Sequence, residues 1–114
     1  MRVLVCGGRD FTNIAVIWRF MDRLNAETPI TEIITGGQRG ADTIANEWAK
    51  TKPIKRYISK ADWTTYGRAA GPKRNARMLE WNPDVVIAFP GGTGTADMVA
   101  KAKNAGIRII IPPF

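Results

Sequence analysis

Three glycine-rich loops in this sequence carry the residue types that bind phosphate. They are CGGRDF (residues 6–11), TGGQRGAD (residues 35–42) and FPGGTGTAD (residues 89–97), and each directly follows a short apolar run. Glycine permits a positive φ and lets a ligand approach the backbone N–H groups, and the N-terminus of a following helix stabilises an anion. We therefore expect a phosphate site at these loops, with the loop at residues 89–97 as its cradle.

The glycines and their polar neighbours in these loops are the candidate ligand contacts. They are Gly7, Gly8, Arg9, Gly36, Gly37, Arg39, Gly40, Gly91, Gly92, Thr93, Gly94 and Thr95. A structural alternative stays open for each loop, because a tight turn from a strand into a helix needs glycine for its geometry alone. The spacing matches neither a Walker A motif nor a G-x-G-x-x-G loop after the first strand, which argues against P-loop ATP hydrolysis.

A second polar cluster lies in YGRAAGPKRNARML, residues 66–79. Proline is well suited to the first position of a helix, so Pro72 predicts that Lys73, Arg74 and Asn75 lie on an opening turn that forms a second anion site. Arginine grips phosphate with two parallel donors, so we prefer Arg74 to Lys73 as the specific contact and expect its replacement to spare the fold. An exposed salt bridge is the alternative role for Arg74.

Two carboxylates and one aromatic residue complete the candidate site. Asp10 and Asp42 each lie just after a glycine pair or loop and are the candidate catalytic groups. Their alternative role is that of an N-cap or first-turn acid that stabilises the following helix. Trp63 lies beside the polar motifs, where stacking on a base and packing in the core are equally open.

Composition favours one compact domain with an anionic partner. The chain has 114 residues, 45% of them hydrophobic, and no linker or repeat, so we expect a single domain over residues 1–114. The net charge of +7 and the pI near 10.1 favour phosphates, nucleotides or nucleic acid. A basic but merely solvated surface is the alternative, because no long basic block occurs.

Residue types that are missing from the sequence exclude several kinds of site. There is no histidine and only one cysteine, Cys6, so zinc sites, Ser-His-Asp triads and internal disulfides are ruled out, and we expect no metal or cofactor. Cys6 is expected to be a buried structural thiol. The apolar stretches are too short to cross a bilayer and the N-terminus lacks a signal peptide, so a cytoplasmic protein without membrane contact is expected.

The elements that must position these groups alternate between strands and helices. The strands are predicted at Val3–Cys6, Glu32–Thr35, Lys55–Ser59, Val85–Phe89 and Arg108–Ile110. The helices are predicted at Asn13–Asn25, Gly40–Lys50, Lys73–Trp81 and Gly94–Asn104. This alternation indicates an α/β fold, a three-layer α/β/α sandwich with a mainly parallel five-stranded sheet. Ligands of such sheets bind beyond the carboxyl ends of the strands, where the glycine loops lie.

Four motifs, in order along the whole chain, resemble the SLOG superfamily of Rossmann-like proteins. The superfamily includes the LOG phosphoribohydrolases and the DNA-uptake protein family DprA, and its small YspA-related branch is most similar. The motifs in this chain are GGRDF, GQRGAD, ADW followed by GRAAGPKRN, and FPGGTGTADM. The resemblance implies a nucleotide or nucleotide-derived ligand whose ribose-phosphate lies on residues 91–95, and it is compatible with a homo-oligomer.

The sequence departs from the LOG pattern at one position that matters for chemistry. LOG enzymes carry P-G-G-x-G-T-x-x-E, and this chain has Met98 where the glutamate would be. Cleavage of an N-glycosidic bond passes through an oxocarbenium-like state, which a carboxylate stabilises and a thioether does not. Adjacent helix residues differ by about 100° in direction, so Asp97 is expected to face elsewhere.

Three functions remain open from the sequence. The first is a binding module that senses or sequesters a nucleotide-derived ligand, which the missing glutamate favours. The second is a phosphoribohydrolase-like enzyme that acts on nucleoside monophosphates, with Asp10 or Asp42 as its carboxylate. The third is a single-stranded nucleic-acid binder, which the charge and the resemblance to DprA suggest.

Overall fold

The protein is built on a five-stranded parallel sheet. The structure is a computed structural model and describes residues 1–113. The strands are β1 (Arg2–Cys6), β2 (Glu32–Thr35), β3 (Lys55–Ile58), β4 (Val85–Ala88) and β5 (Arg108–Ile110). Their order across the sheet is β3-β2-β1-β4-β5, and every neighbouring pair is parallel. Each predicted strand is present, with ends that differ by one residue at most, and the predicted α/β fold is confirmed.

Helices cover both faces of the sheet. They are α1 (Ile14–Glu27), α2 (Ala41–Lys50), α3 (Trp63–Tyr66), α4 (Ala70–Glu80) and α5 (Thr93–Asn104). The four predicted helices are present, whereas α3 was not predicted, nor was the 3₁₀ turn Gly67–Ala69 that leads into α4. None of the helices within residues 1–113 combines the length and the apolar character needed to span a bilayer.

The start of α4 differs from the prediction. The helix begins at Ala70 because the 3₁₀ turn before it already sets helical geometry, and the N–H of Ala70 donates to the carbonyl of Gly67. Pro72 is therefore the third residue of the helix, a position where its missing N–H still has no intrahelical role. Lys73, Arg74 and Asn75 lie beyond the first three residues, so their predicted placement on the opening turn of the helix is wrong.

Alternation along the strands divides the core into two layers. Residues Val3 and Val5 of β1 face one side with α1 and α2, and Leu4 between them faces α4 and α5. The first layer also contains Ile17, Met21, Ile33, Ala45, Trp48, Val85, Ile87 and Phe89. The second layer is smaller and contains Ile34, Met78, Val86, Met98 and Ala102. The sheet is thus buried by helices on both sides, as parallel sheets require.

The chain reverses its direction of winding between β1 and β4. From β1 it proceeds outward through β2 to β3, then crosses back to β4 on the other side of β1 and continues to β5. A crevice forms at such a switch point, beyond the carboxyl ends of the strands. The loops after β1 and β4, which are two of the three glycine-rich loops, flank this crevice.

Candidate functional site

An open cleft of about 1020 Å³ lies at the carboxyl ends of β1, β2 and β4. All three glycine-rich loops contribute to its wall, together with the α3 segment and one side of α4. The predicted site residues that line it are Gly7, Gly8, Arg9, Asp10, Gly36, Asp42, Trp63, Arg74, Asn75, Gly91, Gly92, Thr93, Gly94 and Thr95. The fold therefore brings most of the predicted residues together, across more than 80 positions of sequence.

Four predicted site residues do not line the cleft. They are Gly37, Arg39, Gly40 and Lys73. Arg39 is an exposed residue whose guanidinium lies 3.3 Å from the carboxylate of Asp10. Lys73 points along α4 and places its ammonium 5.0 Å from the ring centre of Tyr66. The geometry thus gives these two cations protein partners in place of the ligand contacts that the sequence predicted.

Backbone N–H groups of the first two glycine loops are used inside the protein. The N–H of Gly8 donates to the carbonyl of Pro90 at 2.7 Å, which joins the first loop to the third. The N–H groups of Gly36 and Gln38 both donate to the Asp42 carboxylate, at 3.1 and 3.3 Å. These N–H groups stabilise turns of the protein itself. The alternative that glycine serves only the geometry of a tight turn therefore describes these two loops better than a phosphate cradle does.

Two glycines are required by close approach. Gly40 has φ of +82°, and a Cβ there would collide with the carbonyls of Gly8 and Arg9. A Cβ on Gly36 would overlap the guanidinium of Arg74. The second loop is therefore packed against both the first loop and α4, which fixes the cleft wall.

The third glycine loop presents unused donors to the cleft. Gly92 is the N-cap of α5 and has no side chain to cap the helix. The first helical hydrogen bond runs from the N–H of Ala96 to the carbonyl of Gly92. Within residues 1–113 the N–H groups of Thr93, Gly94 and Thr95 therefore have no hydrogen-bond acceptor. They form the positive end of a twelve-residue helix that opens on the cleft.

Arg74 is a buried cation without an ion-pair partner. Only 6% of the residue is exposed, and its Nη1 donates to the carbonyls of Gly36 and Ser59 at 3.1 and 3.3 Å. Its Nε donates to Oδ1 of Asn75 at 3.1 Å. Among residues 1–113, no carboxylate lies within ion-pair distance of the guanidinium, and Nη2 has no hydrogen-bond acceptor. The alternative of a surface salt bridge is therefore wrong, and the hydrogen bonds to Gly36 and Ser59 show that Arg74 also stabilises the fold.

Asn75 connects Arg74 to the start of α5. It accepts from Arg74 through Oδ1, and through Nδ2 it donates to the carbonyl of Gly94 at 3.1 Å and to Asp97 at 3.0 Å. Because Asn75 is 5% exposed, these bonds are shielded from water. One amide side chain therefore sets the spacing between the buried guanidinium and the free N–H groups of α5.

Asp42 lies deep in the cleft and holds its proton more tightly than usual. Burial raises the pKa of its carboxyl to about 6, against the opposing effects of the Gln38 N–H, the Arg74 charge and the Gly36 N–H. The same surroundings act on Cys6, whose thiol pKa is raised to about 12 by burial and then by the Asp42 charge. Cys6 is therefore a protonated thiol at neutral pH, not a nucleophile.

Burial also lowers the pKa of Arg74, and Asp42 opposes this shift. The guanidinium is thus largely shielded from water, but it lines the cleft, where a ligand can reach it. An anion placed beside Nη2 would restore the interactions that the guanidinium loses to burial.

Asp97 lines the cleft, contrary to the expectation from the sequence. Its carboxylate accepts from Asn75 and from Lys101, and these bonds outweigh partial burial and hold its pKa below the usual range. Met98 instead packs between the sheet and α4, with 1% of the residue exposed. The reason is that Met98 and Ala102 form the stripe of α5 that covers the sheet, which turns Asp97 toward α4 and the cleft.

Asp10 and Asp42 occupy very different surroundings. The side chain of Asp10 is 94% exposed, at the rim of the cleft, while Asp42 is 5% exposed at its floor. Neither is an N-cap: Asn13 caps α1 and Gly40 caps α2. Asp42 does lie in the first turn of α2, so the alternative of a first-turn acid is correct for its position. Its carboxylate nevertheless accepts hydrogen bonds from the preceding loop and not from the helix.

Trp63 forms an exposed side of the cleft. The residue is 47% exposed, so the alternative of core packing is wrong. One part of its ring lies against Gly71 of α4, where a Cβ would come within 3.2 Å of the indole, and the Arg9 guanidinium is 5.9 Å from the ring centre. The indole ring of Trp63 is thus held at the cleft wall, and the open volume of the cleft lies beside it.

Sequence reasoning missed several residues of the cleft wall. The polar ones are Gln38, Arg68 and Asp97. Gln38 and Asp97 lie inside motifs that were recognised, so the motif boundaries could have suggested them. Arg68 depends on the 3₁₀ turn before α4, for which the sequence offers no periodic signal. Within residues 1–113, no group of three or more Cys, Asp and Glu side chains is placed to hold a metal ion.

Two solved structures have the same fold as this chain. The protein TM1055 is 16% identical, with a TM-score of 0.73 over 95% of this chain and 71% of that protein. DNA processing protein A (DprA) from Streptococcus pneumoniae is 17% identical, with a TM-score of 0.52 over 96% of this chain and 58% of that protein. At these identities the likeness shows the fold alone.

Sequence comparisons show the family. Gene 61 protein of Mycobacterium phage D29 is 34% identical over 117 residues, which cover 96% of this chain and 94% of the phage protein. The model of the "YspA, cpYpsA-related SLOG family" matches residues 1–66, more than half of the chain. The motifs on which the resemblance was based are those that build the cleft. The chain belongs to the YspA, cpYpsA-related SLOG family.

Proposed function

We propose that this protein binds a nucleotide or a nucleotide-derived ligand in the cleft and so senses or sequesters it. The observation that carries the proposal is Arg74, a buried guanidinium. Among residues 1–113 its Nη2 has no hydrogen-bond acceptor and no carboxylate lies within ion-pair distance, although the charge of Asp42 acts on it from farther away. Buried charges in proteins are normally paired, so an unpaired one at a cleft wall favours an anionic ligand. The SLOG family membership supports a nucleotide-related or nucleic-acid-related role.

The start of α5 supplies the second half of the phosphate contact. The N–H groups of Thr93, Gly94 and Thr95 would donate to a bound anion, and the helix dipole would add to their effect. Asn75 ties Gly94 to Arg74 through two hydrogen bonds, so both contacts belong to one connected unit. A phosphate between them would receive donors from two sides in a partly dehydrated place.

The rest of the cleft suits the organic part of a nucleotide. Its volume of about 1020 Å³ lies at the upper end of the range for small-molecule sites, with room for a base and a ribose. Trp63 offers a face for stacking, and Asp97 and Gln38 offer polar groups for hydroxyls or base edges.

A thermal-shift screen of phosphorylated and unphosphorylated nucleosides tests this proposal. A ligand at a hundred times its Kd adds about 2.7 kcal/mol to the stability of the folded state, which is a readily measured shift. We expect mono- and dinucleotides and their cyclic or ribosylated derivatives to stabilise the protein, and nucleosides to do so far less. The absence of a shift across the phosphorylated panel would overturn the proposal.

Arg74→Lys links any binding to the proposed site. Lysine keeps the charge but lacks the planar fork, so affinity for the best ligand should fall by about 1.5 to 3 kcal/mol. Arg77→Lys is the matched control, because Arg77 is an exposed arginine on the same helix, and it should bind as the natural protein does. Equal affinities of the two variants would contradict the role of Arg74. Arg74→Ala is less suitable, since it leaves the carbonyls of Gly36 and Ser59 without their donor.

The position of Asp97 favours a second candidate, hydrolysis of the N-glycosidic bond of a nucleoside monophosphate. Its carboxylate lines the cleft one turn into α5 and has a lowered pKa, so it is ionised at neutral pH beside the proposed phosphate contact. Such a charge would stabilise an oxocarbenium-like ribose. Release of free base from AMP-like substrates, abolished in Asp97→Asn while binding persists, would establish this activity. Binding without base release leaves the binding module as the function.

A further inference from the structure

The positive charge of this protein is concentrated on one side of the fold. Residues 48–80, which include β3, α3 and α4, contain nine Lys or Arg residues and two acidic residues, Asp62 and Glu80. The remaining residues contain eight Lys or Arg and eight Asp or Glu. The whole excess of positive charge therefore lies on the segment that forms the outer wall of the cleft, where it favours a polyanion.

Two half-exposed aromatic rings stand within this basic segment. Trp63 and Tyr66, which we call the aromatic platform, are 47% and 48% exposed and lie three positions apart on α3. Residues with this spacing are neighbours on a helix surface. Each ring has a cation nearby, the Arg9 guanidinium 5.9 Å from the centre of Trp63 and the Lys73 ammonium 5.0 Å from the centre of Tyr66.

The aromatic platform extends from the cleft to the outside. Trp63 and Arg68 line the cleft, whereas Tyr66 and Lys73 lie beyond it. α3 is held in place by Asp62, whose carboxylate caps it by accepting from the N–H of Thr65 at 3.1 Å. The two rings are therefore presented on an ordered turn, one inside the site and one at its exit.

We propose that the aromatic platform binds a single-stranded oligonucleotide, with one base at Trp63 and the next at Tyr66. This inference rests on the proposed function, because the first nucleotide would occupy the cleft with its phosphate at α5 and Arg74. Arg68, which lines the cleft, and Lys73, which lies 5.0 Å from the ring centre of Tyr66, are the cations that we propose to contact the phosphate between the two nucleotides. Exposed aromatic rings interleaved with cations are how proteins bind single strands without reading their sequence.

A length series of oligothymidylates tests the inference. The probes are 5′-phosphorylated thymidylates of one, two, four and eight nucleotides, with affinities measured by calorimetry. The second nucleotide should raise the affinity at least fivefold, because one further base stacks and one further phosphate is contacted. A hairpin that holds eight thymidylates in a closed duplex should not show this gain, since paired bases cannot stack on a protein ring.

Tyr66→Ala assigns the gain to the outer ring. The variant should bind the dinucleotide and longer probes about 5- to 100-fold more weakly and leave the mononucleotide unchanged. Tyr66→Phe should retain the affinity of the natural protein, because it keeps the ring. Ile14→Ala is the control, as it removes another exposed large side chain, 57% exposed on α1, and should change no affinity.

Each outcome separates the two proposals. Binding of the mononucleotide without any gain with length, or a Tyr66→Ala effect that is equal for all lengths, would overturn the inference and leave the proposed function intact. Equal affinity for the duplex would overturn the inference in the same way. Failure of the whole series to bind, together with an empty thermal-shift screen, would overturn the proposed function itself.

Discussion

The two ends of the sheet differ in how their buried or half-buried arginines are paired. At the amino end, Arg2 pairs with Glu32 at 2.9 Å and stacks over Trp81 at 4.0 Å, and Tyr57 donates to the same glutamate at 3.2 Å. At the carboxyl end, Arg74 is more deeply buried, and no carboxylate among residues 1–113 lies within ion-pair distance of it. The same residue type has a direct ion pair at one end and, within residues 1–113, only the more distant charge of Asp42 at the other.

The difference supports the proposal that a ligand binds at the carboxyl end, whereas the charges at the amino end contribute to stability. A cation with an ion pair and an aromatic face gains nothing further from an anion in solution. A buried cation without a direct ion pair, together with three N–H groups that have no acceptor within residues 1–113, makes the fold less stable than a fully paired arrangement would. A bound anion would supply the missing partners. The free energy that the carboxyl end forgoes in folding is therefore available for binding.

The largest predicted effect is a loss of stability caused by a substitution in α5, at the boundary between the cleft and the core. Met98→Glu places a charge among Leu4, Ile34 and Val86, and should lower the free energy of unfolding by about 4 kcal/mol or more. Urea unfolding measures the loss. The structure thus gives no reason to expect that this change restores a LOG-type site.

Two further variants sharpen this test. Ala100→Glu adds the same charge at an exposed position of α5 and should alter stability by less than about 0.5 kcal/mol. If Met98→Glu does not fold, Met98→Gln provides a measurable loss. A Met98→Glu protein as stable as the Ala100→Glu protein would show that position 98 faces the cleft.

The second predicted effect is a pH dependence that originates at the carboxyl end. The pKa of Asp42 is about 6 in the folded protein and near 3.8 when unfolded, so the folded state binds the extra proton between these values. Stability is therefore highest below the unfolded pKa and falls as the pH rises through about 6. Between pH 4.5 and pH 7.5 the loss from this group should be about 2 kcal/mol.

Urea unfolding at several pH values compares the natural protein with Asp42→Asn. The slope between pH 4.5 and pH 7.5 should be absent from the variant and retained in Asp10→Asn, whose carboxyl is exposed. Asp97 has a lowered pKa, so its contribution is lost only as the pH falls below about 3.8 and does not overlap this window. An unchanged slope in Asp42→Asn would assign the pH dependence to another group.

The third predicted effect concerns the amino end. Arg2→Met removes the ion pair with Glu32 and the cation over Trp81, and should lower stability by about 1.5 kcal/mol. Ligand affinity should not change, because this cluster lies at the opposite end of the sheet. Calorimetric binding of the best ligand provides the check, with Arg74→Lys expected to weaken binding. A weaker affinity in Arg2→Met would remove the contrast between the two ends.

The sequence was sufficient to predict the sheet and most helices, because short β-branched runs and amphipathic periods carry that information locally. It was insufficient for α3, since a helix of four residues spans little more than one turn and has no period to detect. The start of α4 was misplaced for a related reason, because Pro72 fits the third helical position as well as the first.

The sequence predicted where the site lies but not the hydrogen bonds that connect its residues. Glycine motifs after strands located the cleft, because parallel strands end at one edge. The hydrogen bonds of Arg74 reach carbonyls 38 and 15 positions away, and no local pattern encodes such contacts. The orientation of Asp97 depended on which stripe of α5 covers the sheet, a choice made by packing and not by the motif.

The smallest predicted effect concerns Asp10 and Arg39 at the rim of the cleft. Their side chains are 94% and 76% exposed and 3.3 Å apart, so solvent screens the pair. In a double-mutant cycle of Asp10→Ala and Arg39→Ala, the coupling to stability should be below about 0.5 kcal/mol. Mononucleotide affinity should also change little in Arg39→Ala, because Arg39 does not line the cleft and Arg74 does. A loss in Arg39→Ala comparable with that in Arg74→Lys would mean that the ligand is held at the exposed rim, and that burial is not what distinguishes the binding end of this sheet.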